Sequence, residues 1–398
     1  MKKNITLPGI ADRATALAER RNIKMAASAH AYVRGSTSKF YEWLDTASGK
    51  LPEGPAIWIC GDCHIGNLGP VADINGNVDF QIRDFDQTVI GNPAHDLIRL
   101  ALSLAFAARG SNLPGIMTVN MLRVLMEGYA AQFIDGDETA VEIPAVVRAS
   151  MRRARRRTWK HLARERIVDL SPHIPQGRRF WPIVTKERKA IQSIFTRKNA
   201  IKLVNHLRCR KSDEEVKLVD AAYWVKGCSS LGLLRYAVLL NVDDPVTSEI
   251  ELCLMDIKEA VAAKAPRYAD VRMPVINAER IITGARHLSP SLGERMLAGR
   301  VDGKSVFVRA LRPEDLKLDI DELKPKEALK LARYFGAVVG KAHARQMSKE
   351  TALAWYKDLT RNPSTKGTPS WLWKCVVELA ALHEAAYLEH CRRYIDTK

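Results

Sequence analysis

Strand-like patterning is confined to two stretches of this chain, and their separation limits what it can fold into. The first holds a short apolar run, "AIWIC" (56–60), and an alternating one, "VDFQIRDFD" (78–86), after the turn "DINGN". The second opens with "YWVKGCSSLGLLRYAVLLNVDDPVTSEIELCLMDIKEA" (223–260), which reads as strand, glycine-containing loop, strand, turn and strand. It closes with a hairpin at 295–311, turned by "DGK". Elsewhere the periodicity is helical: 9–48, "PAHDLIRLALSLAFAARG" (93–110) ending at Gly110, most of 113–215, a segment around 276–288, and 313 onward. No internal repeat occurs. Two β zones set in helix predict an α+β, two-lobed chain. The expected division is 1–112, carrying a catalytic loop; 113–215, a helical basic insertion; 216–312, a small β lobe; and 313–398, a helical completion of the large lobe.

Composition narrows the function. With 46% hydrophobic and 27% charged residues the chain is globular. No apolar run is long enough to span a bilayer, and "MKKNITLPGIADRATALAERRN" has no apolar core behind its basic start, so a cytoplasmic protein without membrane insertion is expected. "CGDCH" (60–64) has the C-x-x-C-H form of a c-type haem attachment site. Nothing directs export, however, and no second cysteine pair completes a zinc site with Cys60 and Cys63. The net charge of +17 favours anionic partners. Its densest run, "MRRARRRTWKHLARERI" (151–167), could bind nucleic acid, but no zinc finger, RNP motif or aromatic-basic ladder accompanies it. A solvated helix face is favoured.

Moving a terminal phosphoryl group needs a carboxylate to orient the acceptor hydroxyl, oxygen ligands for Mg²⁺, a cation for the phosphates and a backbone loop over them. Asp62 stands five residues before Asn67, the spacing of Asp and Asn in the kinase catalytic loop. Asp84 follows seventeen residues later as a metal-binding carboxylate, and Asp86 either assists it or caps a turn. "GCSSLG" (227–232) offers Gly227, Ser229, Ser230 and Gly232 as a phosphate cover; it lacks the Lys-Ser/Thr of a Walker A loop. Lys258 ends the strand that follows, where kinases place their phosphate-contacting lysine. Glu279, on the next helix, is its expected partner, with Glu259 and Glu294 as competitors. Asp96 is expected to tie the catalytic loop by hydrogen bonds, and His64 either touches phosphate or is satisfied within the loop.

The run "GDCHIGN … DFDQTVIGNPAHDL" resembles the aminoglycoside-phosphotransferase and choline-kinase version of the protein-kinase-like fold, with Cys60 where that family usually has His. The glycine loop comes after the catalytic loop, so the resemblance implies a circularly permuted kinase-like fold with large helical insertions that binds ATP and Mg²⁺. "KMAASAHAYVRG" (24–35), "GDCHIGNLG" (61–69), "RDFD" (83–86), "KGCSSLG" with "IKEA" (226–232, 257–260) and "GKAHARQ" (340–346) further resemble a bacterial family defined as domain of unknown function 2252. Arg34, in the first of these motifs, would suit a phosphate. The reading is an ATP-dependent phosphotransferase with an unnamed hydroxyl acceptor, a small molecule favoured over protein. Transfer of a nucleotidyl (AMP) group on the same fold, and a non-catalytic nucleotide- or nucleic-acid-binding protein, remain as alternatives.

Overall fold

A computed structural model describes residues 7–47, 49–110, 113–134, 141–156, 173–206, 216–228, 230–243, 250–311, 324–361 and 370–395. Ser229 and most of the basic run 151–167 lie outside them. The chain is α+β. It opens with α1 (Arg13–Ala26), α2 (Ala29–Gly35) and α3 (Thr37–Thr46). The expected helical stretch is thus broken at Ser28, whose hydroxyl caps α2 by accepting from Ala31 N, and again at Ser36.

The first β zone folds as two small ribbons. β1 (Ile57–Ile59) pairs with β4 (Val89–Gly91), and β2 (Leu68–Ala72) with β3 (Val78–Ile82), both antiparallel. The strand expected over 78–86 ends at Ile82, where the backbone turns to serve the site: Arg83 N donates to Asn67 O, and Thr88 N to Phe85 O.

Under these ribbons runs α4 (Ala94–Arg109), buried on nearly every side. A helix that is apolar on most of its surface belongs in a core, and α4 sits in the larger of the two main hydrophobic clusters. It packs on α5 (Ile116–Ala130), which in turn crosses the Pro325–Ala344 helix so closely that a Cβ on Gly336 would lie 2.0 Å from Leu125 O. Part of the stretch expected as an insertion is therefore core.

The second β zone is a six-stranded antiparallel sheet in the order β5 (Phe180–Trp181), β6 (Val216–Trp224), β7 (Arg235–Asp243), β8 (Ile250–Glu259), β10 (Lys304–Ala310), β9 (Met296–Val301). One face, with Tyr236, Val238, Met255, Ile257 and Val306, packs on helices Thr185–Phe195 and Lys198–His206 and forms the second core. Because side chains alternate along a strand, the same β8 turns Asp256 and Lys258 to the opposite face, toward Asp84 and Asp86 after β3. No helix of the described residues is long and apolar enough to cross a membrane.

Candidate active site

The loop between β1 and β2 carries Asp62 and Asn67, and α4 holds it with a polar stripe at helical spacing, Asp96, Arg99 and Ser103. All three are fully buried. Asp96 accepts from Cys60 N at 2.7 Å and Gly61 N at 2.8 Å, as expected of it. Arg99 Nε donates to Asp62 Oδ1 at 2.8 Å, and Ser103 Oγ accepts from Ile65 N at 3.3 Å. Gly61 has φ +79° and no room for a side chain, since a Cβ would sit 2.3 Å from Gln87 O.

Behind Asp96 lies a relay from the "GKAHARQ" segment. Trp355 Nε1 donates to Tyr129 Oη (3.3 Å), Tyr129 Oη lies 2.9 Å from His343 Nδ1, and His343 Nε2 lies 3.2 Å from Asp96 Oδ2. The indole can only donate, so the tyrosine proton goes to Nδ1 and the imidazole proton sits on Nε2, aimed at Asp96. Gln346 clips β1 through Trp58 N and O, both at 3.0 Å.

Asp62 receives a second bond, from Thr37 Oγ1 at 3.0 Å. Burial opposes its charge, but the Arg99 guanidinium and the hydrogen bonds from Arg99 and Thr37 outweigh it and hold its carboxyl below the ordinary value. Asn67 Nδ2 donates to Asp62 O at 2.9 Å, fixing the amide beside the loop. His64 is satisfied locally, its Nδ1 accepting from Gly66 N at 3.1 Å; burial pushes its pKa down to about 3, so the ring is neutral. The Cys60 thiol donates to Asp84 O at 3.2 Å, and its hydrogen bond with Cys63, together with burial, holds it well above the usual thiol range. Two buried, protonated thiols suit loop packing, not redox chemistry.

Lys258 joins the six-stranded sheet to the segment after β3. Its Nζ lies 3.3 Å from Asp84 Oδ1 and is also paired with Asp86. Glu279 is exposed on the Asn277–Leu288 helix. Its neighbour Arg280 faces inward instead, donating to the carbonyls of Thr88, Asp86 (3.1 Å) and Val261 (2.9 Å). Although Asp84 opens to the cleft, it lies deep enough for desolvation to oppose its charge; Lys258, Arg309 and Arg235 nevertheless hold its carboxyl well below the usual range. Burial and the adjacent Asp84 push the Asp86 carboxyl up, to about 6.

Gly227 and Gly232, at φ +104° and +109°, bend the loop between β6 and β7. Ser230 lines the cleft below it, as does Gly227. Three side chains pin this loop. Lys24 Nζ donates to Gly227 O at 2.9 Å. Glu259, next to Lys258, accepts from Leu234 N at 2.8 Å and pairs with Lys304 at 3.1 Å. Tyr223 Oη donates to Leu233 O at 2.8 Å. The glycine loop, the segment 175–180, α2 and the 64–84 ribbon enclose a cleft of about 790 Å³ into which Asn67, Asp84, His64 and Arg34 open.

Residues 13–393 match the model of a family described as an uncharacterized protein conserved in bacteria, DUF2252. The chain belongs to the DUF2252 family. No curated protein and no solved structure matches it.

Several residues of this DUF2252 chain that build the site escape a sequence reading. Asp256, fully buried, accepts from Arg235 (Nε, 2.9 Å) and Arg309 (Nη2, 3.0 Å), fixing two guanidinium groups on the cleft wall. An Asp two residues before Lys258 shares its face of the strand, so the period of two was the available signal. The α4 stripe was likewise visible as Asp, Arg and Ser at i, i+3 and i+7 in an otherwise apolar helix.

Proposed function

We propose that this chain is an ATP- and Mg²⁺-dependent phosphotransferase that acts on a hydroxyl group, built as a circularly permuted kinase-like fold. The observation that carries the reading is the convergence of Lys258, Asp84 and Asp86, with Asp84 opening into the cleft that the glycine loop also lines. Residues from two distant segments meet there in the combination that phosphoryl transfer requires.

The residues fit Mg²⁺. Asn67, Asp84 and Asp86 supply hard oxygen donors, and Asp86 Oδ1 is buried without a hydrogen-bond partner. Mg²⁺ prefers one or two carboxylates completed by substrate phosphates; bound there, it would neutralise charge on the β- and γ-phosphates. The chain's own residues do the rest. Lys258 exchanges its carboxylate partners for phosphate oxygens, and the backbone at Gly227, Ser230 and Gly232 covers them. Asp62, ionised and held by Arg99 and Thr37, orients the acceptor hydroxyl and takes its proton as the transfer proceeds. A carboxylate with a lowered pKa is a weak base, which suits a loose transition state where positioning dominates.

Product analysis after incubation with Mg-ATP and a panel of hydroxylated acceptors tests the reading. It predicts ADP, with turnover lost in Asp62→Asn while Mg-ATP binding remains. Turnover that survives this substitution refutes the role of Asp62, and AMP attached to a product indicates nucleotidyl transfer.

A further inference from the structure

Among the described residues the cleft is lined by eight Lys and Arg side chains and a single carboxylate, Asp84. Some of these cations already have work. Arg235 and Arg309 are braced on Asp256, and Lys24 holds the glycine loop. Arg34 is different. Its guanidinium lies flat against the catalytic loop, so close that a Cβ on Gly66 would sit 2.6 Å from its Nη2. Its Nε is buried without a hydrogen-bond partner, and it forms no salt bridge among the described residues. Of the two acidic groups nearest it, the Cys228 thiol has its pKa raised by burial and Asp62 is already taken by Arg99 and Thr37. Burial lowers the Arg34 pKa, the mark of a charge short of compensation. Arg83 joins it on the same loop: a Cβ on Gly69 would lie 2.4 Å from the Arg83 guanidinium carbon.

On the phosphotransferase reading the donor phosphates would have their own contacts in Lys258, the backbone at Gly227 and Ser230, and a metal that Asp84 would hold. Arg34 lies between Cys228 at the start of the glycine loop and the catalytic loop, where it sits beside Gly66, His64 and Asp62, on the side on which an acceptor hydroxyl must approach Asp62. We propose that the acceptor is an anionic polyol, a small hydroxylated molecule already carrying a phosphate group, held through that group by Arg34. This inference rests on the phosphotransferase reading. One acceptor hydroxyl oxygen forms the new bond to the γ-phosphorus, the bond from that phosphorus to the ADP oxygen breaks with its electron pair, and the hydroxyl proton leaves through Asp62 to solvent. Cationic acceptors such as choline-like amines and aminocyclitols are disfavoured by the charge of the cleft.

Calorimetric titration of the full chain with glucose 6-phosphate, glucose and glucosamine at fixed ionic strength tests this. The wild type should bind the phosphate at least tenfold more tightly than either other sugar. Arg34→Gln should weaken that binding about tenfold to hundredfold, the range for a lost charge-assisted bond. Arg34→Lys should restore part of it, and Arg300→Gln, an exposed arginine on the far edge strand β9, should behave as wild type. Equal binding of the three sugars, or an Arg34→Gln effect on Mg-AMP-PNP instead of on the sugar phosphate, overturns the proposal. Mg-AMP-PNP is titrated separately into the wild type; failure to bind refutes the phosphotransferase reading, while Arg34-dependent sugar-phosphate binding still stands or falls by itself.

Discussion

Asp96→Asn is the substitution whose consequence follows most directly from the geometry. Asp96 presents two acceptor oxygens to three donors, Cys60 N at 2.7 Å, Gly61 N at 2.8 Å and His343 Nε2 at 3.2 Å, with no water access. Asparagine offers one oxygen and an NH₂ group. If the oxygen keeps Gly61, the NH₂ confronts the N–H of Cys60; turned round, it confronts Gly61. Either way one short bond becomes a donor–donor contact and a buried N–H is orphaned, which amounts to about 3 kcal/mol. An unfolding entropy of roughly 2.1 cal/mol/K per residue gives about 0.8 kcal/mol/K for 398 residues, so the melting point should fall by about 4 °C. Hydrogen exchange should show the Cys60 and Gly61 amides losing protection beyond that global change. A melting point within 1 °C of wild type, with those amides still protected, would refute the reasoning.

Other expectations follow from single contacts. Gly336→Ala places a methyl against Leu125 O and must part the two central helices, lowering stability by about 3 kcal/mol as read by urea unfolding. Glu259→Ala frees Leu234 N and removes the Lys304 pair, so limited proteolysis between 227 and 234 should accelerate several-fold while the melting point moves little. Burial pushes His64 down to about 3 and His95 and His383 to about 4, so the folded state holds all three neutral while the unfolded chain protonates them below about 6.5. Stability should therefore fall as pH drops from about 6.5 toward 4, by about 1.4 kcal/mol per pH unit for each histidine. His383→Gln should lessen the slope of the urea-derived free energy by one such step; an unchanged slope contradicts the assignment.

What was legible in the sequence was local. Spacing placed Asp62 and Asn67 on one loop and Asp84 just past a strand, and Gly227 and Gly232 sit where only glycine tolerates the backbone. Asp96 was readable because an Asp in the first turn of a buried helix needs donors, and the loop supplies them. What escaped depends on how distant elements meet. Lys258 was expected to pair with Glu279, but the turn of the Asn277–Leu288 helix that faces inward presents Arg280, and the lysine reaches Asp84 and Asp86 instead. β2, the partner of the strand that was read at 78–86, was hidden because "LGPVA" contains Gly and Pro and shows little alternation. The assignment of 113–215 to an insertion overlooked Gly128, where a Cβ would meet Arg333 O at 2.0 Å; close helix approach leaves small residues but no periodic signature.

The central claim is that Asp84 and Lys258 mark a Mg-nucleotide site. Thermal unfolding of the wild type and of Asp84→Asn, each with and without Mg-ATP, tests it most directly. A ligand at a hundred times its Kd adds about 2.7 kcal/mol, about 3 °C on the entropy scale used above. The account predicts that shift in the wild type and its reduction or loss in Asp84→Asn. No shift in the wild type with Mg-ATP, or an equal shift in both proteins, would contradict it.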